Sequence, residues 1–139
     1  MGDRRRFVQP PAAPARERAP WWRSFVWAGE GIAQTWRTQR HMKIHVAISA
    51  AVILVGIWLH LPPRDWAVLA LTIGVVLAVE VGNTAIEALV DLASPDTHPL
   101  AKVAKDAAAG AVLILALAAV VVGLTILGPP LWARLMGSP

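Results

Sequence analysis

Residues 44–93 read IHVAISAAVILVGIWLHLPPRDWAVLALTIGVVLAVEVGNTAIEALVDLA. The first 18 of them, Ile44 to Leu61, contain no Asp, Glu, Lys or Arg. At about 1.5 Å per residue, such a run is near the minimum for crossing a hydrocarbon core of about 30 Å. Leu61-Pro62-Pro63-Arg64-Asp65 then breaks the helix, because proline lacks an amide donor and its ring clashes with the preceding turn. A second apolar run of about 28 residues follows from Trp66 to Ala93, about 40 Å if helical, and so exceeds the core by about 10 Å. Two such runs joined by a tight turn predict a membrane hairpin.

Outward toward the C-terminus, a polar loop (Ser94-Pro95-Asp96-Thr97-His98-Pro99) leads to a helix that begins near Leu100, is apolar from Ala107 to Leu127, and is expected to end at Gly128-Pro129-Pro130. Toward the N-terminus, WWRSFVWAGEGIAQTWRTQR (residues 21–40) repeats apolar residues at three- and four-residue spacing. This is an amphipathic helix. Its four tryptophans, with Arg and Gln opposite, suit the headgroup layer. Residues 1–19 hold three prolines and five arginines with no apolar run, so they are expected to be disordered and not a secretory signal. The expected organisation is a tail (1–19), an amphipathic surface helix (20–43), a three-helix transmembrane core (44–128) and a short outer tail (129–139). The fold class is an all-α integral membrane protein.

Composition agrees. The 139 residues are 56% hydrophobic and 16% charged, with mean hydropathy +0.54. The absence of cysteine excludes disulfides, thiolate zinc sites, Fe–S clusters and cysteine nucleophiles. Chemistry must come from carboxylates, amides, lysine and histidine. A pI near 10.7 raises nucleic acid as a partner, but the basic residues flank apolar spans and no base-reading motif is present, so no nucleic acid is expected. Placing the N-terminus inside puts 11 of the 13 Lys and Arg residues in inner segments and only Arg64 and Arg134 outside. That predicts a cytoplasmic N-terminus, an outer Pro62-Pro63 turn and an outer C-terminus.

Glu80, Asn83, Glu87 and Asp91 lie at i, i+3, i+7 and i+11 of the second span. At about 100° per residue they fall within about 80° of one another, forming a polar stripe on an apolar helix. A membrane carboxylate costs at least about 2.5–3.5 kcal/mol at mid-depth on insertion scales, which points to a functional site. The topology sets the stripe near the inner surface, beside Lys105-Asp106, where oxygen ligands suit a hard cation such as Mg²⁺ and a phosphate ester. The alternative is that Glu80 or Glu87 pairs with Lys102 or Lys105 to fix helix packing. His41 and His45 have the spacing of a metal pair, but the sequence sets no acidic ligand beside them. Gly29-Glu30-Gly31 is not completed as a nucleotide loop, and no P-loop occurs.

The stretch Glu80-Val81-Gly82-Asn83-Thr84-Ala85-Ile86-Glu87-Ala88-Leu89-Val90-Asp91 resembles the signature of the small prokaryotic diacylglycerol kinase family. The stretch from His98-Pro99-Leu100-Ala101-Lys102 through Lys105-Asp106 to Val112 is similar to its undecaprenol kinase branch. The resemblance extends from about Trp22 to Gly128. It implies a homotrimeric enzyme of the bacterial cytoplasmic membrane that transfers the γ-phosphoryl group of Mg-ATP to a lipid alcohol, most closely undecaprenol, with diacylglycerol as the alternative acceptor. Matched by position, Glu80 is the general base and Asn83 lies by the acceptor. Glu87 is a metal ligand, Lys105 and Asp106 contact the nucleotide, Asp96, Thr97 and His98 lie in the loop around ATP, and Trp27 is an aromatic nucleotide contact.

Two positions depart from the family. Gln39, in Thr38-Gln39-Arg40-His41-Met42, stands where a second metal-binding Glu is usual; its amide oxygen can still reach Mg²⁺, with one negative charge fewer. Pro20 stands where a nucleotide-contacting Arg is common, with Arg23 about one turn on. The loss of charge at Gln39 raises a third reading, a weakly active member retained for lipid binding.

Overall fold

A computed structural model of the chain describes residues 20–94 and 98–137. The expected tail 1–19 and the site candidates Asp96 and Thr97 lie outside the described residues. The remainder forms four helices: α1 (Arg23–Thr38), α2 (Arg40–Trp58), α3 (Pro63–Ala93) and α4 (Pro99–Met136). Among the described residues, α2, α3 and α4 are each long and apolar enough to cross a membrane.

The expected helix 20–43 is divided at Gln39, whose backbone is extended (φ −97°, ψ 120°), so the first spanning helix starts at Arg40 and not Ile44. Gln39 N–H still donates to the Thr35 carbonyl at 2.8 Å, closing the last turn of α1, and its side chain bonds Glu87 of α3 across the break.

The turn between α2 and α3 is a Schellman motif. Leu61 N–H donates to the Gly56 carbonyl and His60 N–H to that of Ile57, with His60 left-handed at φ 55°. Gly56 permits the closure, since a Cβ there would lie 2.9 Å from Trp66 Cη2 and 3.1 Å from Leu61 Cδ1. Pro63 opens α3 at a position where its missing donor costs nothing.

At the other end of the third span, α4 does not stop at Gly128. It continues through Pro129 and Pro130 to Met136 and ends on left-handed Gly137. The two rings remove the donors that would reach Thr125 and Ile126, but proline's φ remains compatible with a helix. Tertiary contacts hold these last turns. Leu131 packs against the Leu59, Leu61 and Leu69 cluster, and the Arg134 guanidinium stands 5.1 Å from the Trp58 ring.

The helices run up, down and up, with α3 packed most extensively on α4. The end where α2 turns into α3 has an apolar core, its buried Leu59, Leu61 and Leu69 surrounded by Val52, Trp66, Val122 and Ile126. The opposite end is polar. Thr35, Glu80 and Asn83 are buried there, and Glu80, at 2% exposure, is the bulkiest fully buried side chain among the described residues. Conversely, Leu113, Ile114, Leu117, Val121 and Leu124 of α4 are exposed in the single chain, as a bilayer-facing helix requires.

Candidate active site

The polar stripe of α3 faces a cavity of about 380 Å³ lined by His41 and His45 of α2, Glu80, Asn83 and Glu87 of α3, and Ala109 and Val112 of α4. Helical repetition sets Glu80, Asn83 and Glu87 on one side, and small residues on α4 leave the space open. Asn83 Nδ2 donates to Glu87 Oε1 at 3.0 Å. Gln39 Nε2 donates to Glu87 Oε2, also at 3.0 Å, across 48 residues of sequence. Both oxygens of the Glu87 carboxylate are thus held by amide donors.

Glu80 is in no ion pair among the described residues. Its neighbour Asn83 is buried at 8% exposure, and the Oδ1 atom has no hydrogen-bond partner. A buried, unpaired acceptor costs about 1–3 kcal/mol. Beside a cavity, it is the partner a hydroxyl donor would satisfy.

The ion pairs fall elsewhere. Lys105 pairs with Asp91, tying α4 to α3, and Lys102 pairs with Asp106 one turn along α4. The alternative in which Glu80 or Glu87 takes one of these lysines is therefore not formed. His98 caps α4, its Nδ1 accepting from Leu100 N–H at 3.2 Å. Trp27 is half exposed on α1, about 18 Å of helix before Gln39.

The chain's pattern matches the family described as prokaryotic diacylglycerol kinase over residues 26–127. This chain belongs to the prokaryotic diacylglycerol kinase family. It is 46% identical to the undecaprenol kinase of Bacillus subtilis over 109 residues, covering 78% of this chain and 89% of that relative. It is 49% identical to the diacylglycerol kinase of Synechocystis over 109 residues, covering 78% of this chain but only 62% of that relative's length. A diacylglycerol kinase of Helicobacter pylori strain J99 is 29% identical over 108 residues, 78% of this chain and 83% of that relative. The chain is therefore a membrane lipid kinase.

Membership gives the cavity a chemical context, and it also exposes what sequence reasoning passed over. His41 and His45 were expected to lack acidic neighbours, yet they line the same cavity as Glu80 and Glu87. Their i, i+4 spacing on the first turns of α2 was the available sign; the contact with α3 is tertiary. They do not complete a metal cage, since among the described residues no three His, Asp or Glu side chains are grouped to hold an ion. One carboxylate held by two amides suits a cation that arrives on a triphosphate, where phosphate and water oxygens complete the shell. It does not suit a cation held by the protein alone.

Proposed function

We propose that this kinase uses ATP with Mg²⁺ to phosphorylate undecaprenol at the inner face of the bacterial cytoplasmic membrane, working as a homotrimer. The observation that carries the reading is Glu80: a buried carboxylate without an ion pair, in a membrane helix, facing a cavity beside the unpartnered Asn83 Oδ1. The N-terminus is cytoplasmic, and α1 lies along the membrane surface with Trp22, Phe25 and Trp36 exposed to the headgroup layer.

In the proposed reaction the lipid hydroxyl gives its proton to Glu80 while its oxygen forms a bond to the γ-phosphorus. The bond from that phosphorus to the bridging oxygen breaks, and ADP leaves. Such transfer demands placement and charge stabilisation more than covalent help. Asn83 Oδ1 orients the acceptor. Glu87, with the Gln39 amide beside it, would hold the cation carried by ATP, which would supply charge neutralisation of the phosphates. Lys105, Asp106, His98 and Trp27 are the proposed nucleotide contacts, and Asp96 and Thr97, outside the described residues, keep that role as a reading of the sequence alone.

A lipid acceptor is further supported by an apolar groove at greater depth, lined by Ile48, Val52, Leu69, Val76 and Ala119. His45 and Ala116 line both this groove and the polar cavity, so a chain lying in the groove would present its hydroxyl to Glu80. Ser49 and Thr72 give their hydroxyl hydrogens to the backbone carbonyls of His45 and Val68 and leave the groove apolar.

Undecaprenol is preferred to diacylglycerol because residues 98–102 (HPLAK) and 104–112 (AKDAAAGAV) resemble the undecaprenol kinase branch. The test is purified protein in lipid discs with labelled ATP, Mg²⁺ and each alcohol separately. Faster transfer to undecaprenol supports the proposal, faster transfer to diacylglycerol replaces the acceptor, and transfer to neither favours a lipid-binding role.

A further inference from the structure

The hydrogen bond between Gln39 and Glu87 ties the break between α1 and α2 to the C-terminal third of α3. The donor is neutral, the acceptor is a carboxylate, and Asn83 already meets the carboxylate's other oxygen. A carboxylate at position 39 would place two acidic oxygens about 3 Å apart, a contact that holds only with a proton or a cation between them. The amide needs neither. It closes the junction by itself, at the one backbone position where the chain turns from α1 into α2.

We infer that Gln39 is a positioning residue that does the work of a protein-held divalent cation: it fixes the surface helix against Glu87 without metal, and the chain binds a divalent cation only as part of a nucleotide complex. The donor set agrees, since no group of three His, Asp or Glu side chains among the described residues could retain an ion unaided. A cation arriving with a triphosphate brings its own oxygen ligands. It needs Glu87 to exchange one amide hydrogen bond for a metal bond, and needs no second carboxylate. The junction is therefore in place before nucleotide arrives.

The test is Mn²⁺ titration followed by electron paramagnetic resonance, on the full chain in phosphatidylcholine discs without nucleotide. Wild type is expected to leave the free Mn²⁺ signal as empty discs do. Gln39→Glu is expected to gain a site, binding Mn²⁺ roughly ten-fold tighter or more, because an added carboxylate raises the ligand charge. The double variant Gln39→Glu with Glu87→Gln, which restores one amide and one acid in exchanged places, is expected to lose that gain. Stoichiometric Mn²⁺ binding by wild type without nucleotide overturns the inference. So does a Gln39→Glu protein with wild-type helix content and elution that binds no more Mn²⁺ than wild type. If Gln39→Glu does not fold, the wild-type titration still decides. Neither measurement uses phosphoryl transfer, so the outcome is independent of the acceptor's identity.

Discussion

Glu80→Gln separates a working carboxylate from a packing one. Glu80 is 2% exposed and without an ion pair among the described residues. Glutamine has nearly the same volume, so the substitution opens no cavity and isolates the loss of a proton acceptor. General base catalysis contributes about 10²–10⁴-fold, or about 2.7–5.5 kcal/mol of transition-state stabilisation. Initial rates of labelled phosphoryl transfer to undecaprenol should fall by that factor. Stability should move the other way. Glu80 stands about 18 Å of helix from Leu92 at the C-terminal end of α3, and a charged carboxylate at mid-depth costs about 2.5–3.5 kcal/mol on insertion scales. A neutral amide avoids much of that cost, so the thermal midpoint in lipid should stay level or rise. A rate near wild type refutes the assignment of Glu80 as base. A lost rate accompanied by a lowered midpoint also refutes it, because it identifies a residue whose burial serves packing.

Asn83→Leu removes the unpartnered Oδ1 together with one of the two donors to Glu87; transfer should fall about 10–100-fold, with little change in thermal midpoint, and a wild-type KM for the lipid alcohol would exclude a role in acceptor placement. Gly56→Val should lower the midpoint by about 1–3 kcal/mol in free energy, because its side chain enters the space of Trp66 and Leu61; an unchanged midpoint in lipid would show that the turn can open. His60→Gly should raise stability by about 1 kcal/mol by relieving a left-handed residue with a Cβ, measured as a higher midpoint at unchanged activity. Ala119→Phe should fill the apolar groove and raise the KM for undecaprenol while leaving that for ATP unchanged; equal effects on both would remove the groove from the acceptor's path.

Much of this fold was legible because the bilayer simplifies the reading. Three spans follow from run length, and the face shared by Glu80, Asn83 and Glu87 follows from helical periodicity alone. The misread boundaries depend on tertiary contacts. Pro129 and Pro130 resemble a stop, but Leu131 against the leucine cluster and Arg134 over Trp58 hold the helix beyond them. Gln39 falls near the end of the expected amphipathic helix, and the break there accompanies its hydrogen bond to Glu87 of α3. Within the site, spacing could say that Glu80 and Glu87 share a face. It could not say that the lysines would choose Asp91 and Asp106, or that His41 and His45 would face the same cavity, because those pairings depend on how α2 and α4 are placed against α3.

The division of buried residues between the two ends of the hairpin has a mechanical consequence. At the end where α2 turns into α3, leucines close the turn. At the opposite end the contacts between elements include a hydrogen bond and an ion pair, Gln39 to Glu87 and Lys105 to Asp91, with Asn83 bonded to Glu87 within α3. A phosphate or a cation can replace one of these partners with another of like charge or polarity, at a net cost set by a difference between two polar contacts. It cannot replace a leucine contact on those terms. In the proposed reaction the apolar clamp would hold the helices in register while the polar end exchanges partners. Substitutions at Leu59, Leu61 or Leu69 should accordingly lower stability in step with burial, whereas those at Gln39, Asn83 or Glu87 should change metal and substrate dependence far more than the thermal midpoint.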